Sequence, residues 1–174
     1  MSGLENLWAG WRLSYVEGLS DADATGSVSG QGGLSLFESI EQAEAPDDES
    51  FIVHRGPTCF VLMNAYPYSS GHMLVLPRRA AATLEDLTQE EYGELWATVR
   101  TAVAALKAAL SPQGVNVGLN LGRAAGAGIE GHVHVHVVPR WSGDTNFTTT
   151  TAGIRVLPEA LGETWRRLRS VWPG

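Results

Sequence analysis

Cysteine is all but missing from this 174-residue chain: Cys59 stands alone, so no internal disulfide can form and a cysteine-only metal cage is excluded. Basic charge is also short. Lys and Arg number 12 against 19 Asp and Glu, a net charge of −7 that argues against general coating of nucleic acid. No apolar run approaches the ~18 residues of a membrane span, and the N-terminus lacks a basic-then-apolar signal pattern. The expectation is a soluble, cytoplasmic protein whose length suits one core without staples. Histidine is sparse too, yet three of the five stand at alternate positions, His132, His134 and His136.

Leu4, Leu7, Trp8, Trp11 and Tyr15 fall at helical spacing and predict a short amphipathic helix. Residues 18–33 place Gly18, Gly26, Gly30, Gly32 and Gly33 among Ser, Asp and Ala, a linker composition. Residues 1–33 thus read as helix and linker, and residues 34–174 as a single domain.

A helix over Leu34–Gln42 and an acidic loop at Pro46–Glu49 lead into strands at Phe51–His54, Thr58–Met63 and His72–Leu76. Gly56-Pro57 is a turn and Pro77 a stop. Thr88 with Glu91 is a capping-box signature for a long helix, whose buried face carries Tyr92, Leu95, Trp96, Val99, Val103, Leu106 and Leu110. Ser111-Pro112 and Gly114 end it. Strands over Val115–Leu121 and His132–Val138 follow, then a helix opened by Pro158 with Leu161, Trp165, Leu168 and Trp172 on one side. The order predicts an α+β domain on an antiparallel sheet with one long helix and additional terminal helices. Val115, Val117, Leu119 and Leu121 alternate with Asn116, Gly118 and Asn120, as Val133, Val135 and Val137 alternate with the three histidines. If the two strands share one core, the asparagines and histidines share the opposite face.

Three readings of that face stand at this point. Alternate histidines can be half-buried packing groups, although neighbouring imidazoles resist joint protonation. They can hold a metal, since residues two apart lie about 6.6 Å apart, with His72 or Glu130 as a further ligand. Or one neutral imidazole attacks a phosphoryl centre and forms a covalent nucleotidyl-histidine that a second acceptor releases. The segment from Gly118 to Gly131, five glycines in fourteen residues, suits the third by offering backbone N–H groups to an anion; alone it would read as a long flexible loop.

His132-Val-His134-Val-His136-Val-Val138 resembles the signature of the histidine triad family, in which three histidines alternate with apolar residues. The stretch Asn64 to Pro77 is similar to that family's nucleotide-binding block, centred on Pro-x-x-x-Gly-His-x-Leu-Val-x-Pro. The long helix fills the interval between them, and the resemblance covers residues 51–147. Asn120-Leu-Gly122, Pro139-Arg140-Trp141 and Gly143-Asp144-x-Asn146-Phe147 resemble the bacterial branch that cleaves diadenosine tetraphosphate, phosphorylases included.

The resemblance implies an enzyme that splits dinucleoside polyphosphates through adenylylated His134, with water or phosphate as acceptor. An adenosine phosphoramidase and a low-turnover nucleotide-binding module are the alternatives. By the same match His136 stands near the phosphate oxygens, His132 fixes the local backbone and hydrogen bonding, and His72 completes the polar wall. Asn64 holds ribose hydroxyls, the apolar residues before it line the adenine site, and Asn120 with Gly126, Ala127 and Gly128 contacts the phosphates. No cofactor is required, a divalent cation accompanying the polyphosphate is allowed, and a homodimer is implied. Two departures stand out. Gly128 occupies a position where relatives carry Ser or Gln against the leaving-group oxygen. Ser35-Leu-Phe-Glu38 replaces the zinc-binding Cys-x-x-Cys of some bacterial relatives, so no structural zinc is expected. Arg78, Arg79, Arg123 and Arg140 are available to offset substrate charge, and Trp141 to cover a nucleotide, to meet a partner or simply to pack.

Overall fold

Strict alternation along the central strands sorts their side chains between two layers, and this sorting builds the molecule. The computed structural model describes residues 5–6, 33–144, 154–155 and 157–173. In chain order the elements are β1 (Glu5–Asn6), α1 (Leu36–Gln42), α2 (Asp47–Ser50), β2 (Ile52–Arg55), β3 (Cys59–Met63) and β4 (Met73–Pro77). Next come α3 (Gln89–Leu110), β5 (Gly114–Gly118), a 3₁₀ turn at Arg123–Ala125, β6 (Val135–Arg140), β7 (Ile154–Arg155) and α4 (Leu161–Val171). The five central strands form an antiparallel sheet in the order β2-β3-β4-β6-β5. This is the α+β architecture expected. Among the described residues no helix is long and apolar enough to cross a membrane.

One face of the sheet presents Val53, Val61, Met63, Val75, Val135 and Val137 to α3 and α4, against Leu95, Val99, Ala102, Leu106, Leu161 and Leu168. The other presents Ile52, Phe60, Leu62, Leu74 and Leu76 to Phe37 and Ile40 of α1 and to Ile129. His136 pairs across the ladder with Leu74, so it belongs to this second face. Capping boxes are formed at α1, by Ser35 with Glu38, and at α3, by Thr88 with Glu91.

Several boundaries differ from the sequence expectation. The triad strand begins at Val135 rather than His132. Its partner β4 ends in Pro77, which has no N–H to give, and the Pro77 carbonyl accepts instead from the His132 imidazole. Val133 N–H then donates to the Ala81 carbonyl beyond the strand. β5 stops at Gly118 and lies on the open edge, so Val117 and Leu121 stay about two-fifths exposed at 43% and 41%. Tyr92 is likewise exposed, and the buried stripe of α3 runs instead through Leu95, Val99, Ala102 and Leu106. The acidic segment after Pro46 forms the single-turn α2, with three carboxylates in its first turn. The helix expected across Leu4–Tyr15 lies outside the described residues except for Glu5–Asn6. These two are extended and pair in parallel with Ile154–Arg155, a partner from the far end of the chain that local periodicity does not reveal. The linker before Gly33, and Asn146 and Phe147, also lie outside the described residues.

Candidate active site

His72 enters the site through a turn that only glycine fits. Gly71 has φ +92°, and a Cβ there would overlap Leu110 Cδ1 and come within 3.2 Å of Pro139 Cγ. The turn delivers His72, fully buried, to the start of β4 beside His136. Asn64 closes the same turn. Its backbone N–H donates to the His72 carbonyl at 2.9 Å, and its Oδ1 accepts the Tyr66 N–H at 2.8 Å.

Backbone groups of fixed polarity determine the protonation of all four imidazoles. The Pro77 carbonyl accepts from His132 Nε2 at 2.8 Å, so His132 carries its proton there. Its Nδ1 lone pair faces Ser35 Oγ at 2.7 Å, and the serine hydroxyl donates. The His132 carbonyl accepts from His134 Nδ1 at 2.9 Å, which leaves His134 Nε2 with its lone pair. The Tyr68 N–H donates to His72 Nδ1 at 3.1 Å, joined by Asn64 Nδ2 at 3.3 Å. His72 therefore donates from Nε2 to His136 Nδ1 at 3.0 Å. His136 in turn carries its proton on Nε2, a buried donor with no partner among the described residues.

Burial favours the neutral form of the three triad rings. It holds His132 and His134 below the usual imidazole range, against the opposing pull of their backbone hydrogen bonds. His136 is pushed down to about 4 by burial and then by the neighbouring His134. The rings also touch: His134 and His136 meet edge-to-face at 5.0 Å, and Phe37 stands edge-on to both His132 and His134. Chemically, the result is a neutral nucleophilic nitrogen beside an unsatisfied N–H donor, bordering an apolar layer.

Asn120 lines a pocket of about 460 Å³ with Tyr68, Asn116, Gly118, His136 and Arg140. Its Nδ2 donates to the Gly126 carbonyl at 3.4 Å, which ties it to the glycine loop. Gly122 and Gly126 take positive φ around the 3₁₀ turn, whereas Gly128 does not and faces open space. The four arginines are each tied to a carboxylate: Arg78 to Glu41, Arg79 to Glu91, Arg123 to Glu130 and Arg140 to Asp144. Glu130 is thereby engaged elsewhere, and among the described residues no group of three or more His, Cys, Asp or Glu could hold a metal ion. Cys59 is buried in the α3 layer, away from the histidine face. His54 stacks on Trp172 at the far side.

Sequence reasoning gave no site role to Ser35, Phe37 or Tyr68, whereas Asn116 lines the pocket with His136 as the alternation expected. Ser35-x-x-Glu38 was itself a readable capping-box pattern, but nothing local to it announces His132. The half-exposed Tyr68 ring lies 4.6 Å from that of His72 and 5.8 Å from that of His136.

Comparison with known proteins places this geometry in a family. Residues 45–143 match the HIT domain. The chain is 41% identical to the AP-4-A phosphorylase of Mycobacterium tuberculosis over 170 residues, 97% of this chain and 85% of that protein. A Zn-bound histidine triad family protein from Mycobacterium smegmatis superimposes with a TM-score of 0.63 at 28% identity, over 78% of this chain and 90% of that one. A histidine triad nucleotide-binding protein from Sulfolobus tokodaii gives 0.63 at 26% identity, over 77% and 89%. The alternating histidines, the glycine-histidine turn and the five-stranded sheet thus have one explanation, and the chain belongs to the HIT domain family.

Proposed function

We propose that the protein cleaves dinucleoside polyphosphates of the diadenosine tetraphosphate type through a covalent adenylyl group on His134. The observation that carries this reading is the hydrogen bond from His134 Nδ1 to the His132 carbonyl, which leaves the Nε2 lone pair as the one reactive edge of a neutral ring. The 41% identity to a mycobacterial AP-4-A phosphorylase supports the substrate class.

In the first step His134 Nε2 attacks the adenylyl phosphorus; a P–N bond forms, and the P–O bond to the remaining nucleoside polyphosphate breaks. The His136 Nε2–H, which has no partner among the described residues, donates to a phosphate oxygen as charge builds there. Positive charge on the adenylylated ring is relieved through Nδ1–H and the His132 carbonyl. In the second step an acceptor oxygen attacks the same phosphorus and the P–N bond breaks, restoring the lone pair. Phosphate as acceptor yields the nucleoside diphosphate and water yields the monophosphate. Resemblance to the mycobacterial enzyme favours phosphate. By the family resemblance the apolar residues before Asn64 meet the adenine, Asn64 the ribose hydroxyls, and Asn120 with Gly126, Ala127 and Gly128 the phosphates, with Asn120 tied to Gly126 by a hydrogen bond. Any divalent cation arrives with the polyphosphate. A cytoplasmic setting goes with that substrate.

The edge of β5, with Val117 exposed and no further strand beside it among the described residues, supports a homodimer joined along that strand. Light scattering at twice the monomer mass is the expected result. Product analysis of diadenosine tetraphosphate incubated with and without phosphate tests the activity; absence of cleavage in both arms overturns the substrate assignment.

A further inference from the structure

The N-cap of α1 stands against the first histidine of the triad. We infer that Ser35 is a positioning residue for this chemistry: its hydroxyl fixes the tautomer and plane of His132 and, through the His132 carbonyl, the tautomer of His134. The inference rests on the nucleotidyl-transfer reading above and adds the group that prepares its nucleophile.

The direction of each hydrogen bond follows from its neighbours. Pro77 offers only a carbonyl, so His132 donates from Nε2 and its Nδ1 must accept. Ser35 Oγ, 2.7 Å away, is the donor. With its proton directed to the imidazole, the hydroxyl still accepts the Glu38 N–H at 3.1 Å and so caps α1. The Glu38 carboxylate reaches back to the Ser35 N–H at 2.8 Å and across to the Ala80 N–H at 2.9 Å, locking the start of α1 to the chain just beyond β4. Burial alone would raise the Glu38 carboxyl, but these N–H donors outweigh it and hold the group ionised below its usual range. His132 itself is fully buried, with Phe37 edge-on at 5.4 Å.

Removing the donor leaves a buried lone pair on Nδ1 with no partner, a cost the ring relieves by moving its proton or turning. Either response breaks the bond to Pro77 and shifts the carbonyl that accepts the His134 Nδ1–H. His134 then spends time protonated on Nε2, where it cannot attack. The same hydroxyl thus joins the helix that floors the apolar layer to the edge where phosphorus would react.

Three substitutions separate this role from simple capping. Ser35→Thr keeps cap and donor. Ser35→Asp keeps a good cap but has no proton to donate, and Ser35→Ala has neither. Positioning predicts that Thr retains wild-type turnover, whereas Asp and Ala lower kcat about tenfold or more with little change in KM. Ser35→Asp should also raise the pH of the acid limb, because its carboxylate favours a protonated His132. Nitrogen-15 NMR of histidine-labelled wild-type protein reads the tautomers directly, with His132 protonated at Nε2 and His134 at Nδ1. A wild-type His132 protonated at Nδ1, or a Ser35→Asp enzyme with wild-type kcat and pH profile, overturns the inference. Were the wild-type protein inactive on every polyphosphate, the functional reading would fall while the tautomers in wild type and Ser35→Asp would still judge this one.

Discussion

His72 Nε2 lies 3.0 Å from His136 Nδ1, and the polarity of that hydrogen bond is set by neither ring but by the backbone N–H of Tyr68. One amide proton on one side orients two imidazoles in series and points the second one's N–H into the site. Loss of His72 therefore acts at a distance. His72→Ala leaves His136 free to place its proton on either nitrogen, and single-turnover adenylyl transfer should slow about 10- to 100-fold. An unchanged rate in a folded variant would show that His136 does not depend on the relay.

The acid side of the rate profile follows from burial. Attack requires neutral His134 and a neutral His136 with its proton on Nε2, and burial holds both below the ordinary imidazole value of about 6.5. The transfer step should stay flat as pH falls through 6.5 and decline only below it, with His136 protonating at about 4. Stability obeys the same sign. Below about 6.5 the unfolded chain takes up protons that native His136 refuses until about 4, so stability falls as pH drops across that window. A rate that halves at pH 6.5 or above would contradict this. Rapid mixing with a dinucleoside polyphosphate is the suitable assay, because that substrate has no terminal phosphate titrating in the range.

Two glycines should respond oppositely to substitution. Gly71→Ala forces a left-handed φ on alanine and drives its Cβ into Leu110, which predicts a loss of about 2–4 kcal/mol in chemical denaturation. Gly128 is exposed, has no positive φ and meets nothing within 4 Å, so Gly128→Ser should change stability by less than about 0.5 kcal/mol. The new hydroxyl stands four residues before His132, where relatives carry Ser or Gln. It should raise the rate of adenylyl transfer several-fold, and equal stabilities for the two variants would show that the two backbones are not as described.

The parts of the fold legible in the sequence were those governed by near neighbours. Thr88 and Glu91 announced α3, and the valines alternating with the triad announced which side of the sheet faces that helix. In the structure His72 lies against His136, and Asn120 lines a pocket with His136 and bonds Gly126 of the glycine loop. What escaped depended on partners distant in sequence. The start of β6 is tied to Pro77, far upstream in the chain, which pairs with Cys59 on β3 while its carbonyl accepts from the His132 side chain. The exposure of Val117 depends on β5 being an edge, which alternation cannot report. Tyr92 fits the helical stripe by spacing but lies outside what the sheet covers. Ser35 looked like the start of a helix, and its second bond appears only when α1 is laid beside His132. The arginines looked available for phosphate until their carboxylate partners were located.

The most direct test of the account is to trap the intermediate. Wild-type protein mixed with diadenosine tetraphosphate without phosphate, quenched within one turnover and digested, should yield one acid-labile adenylylated peptide, with the label on His134. The His134→Ala protein should give none and turn over no substrate. Turnover with no label, or a label on His72, His132 or His136, would contradict the assignment of His134 as nucleophile.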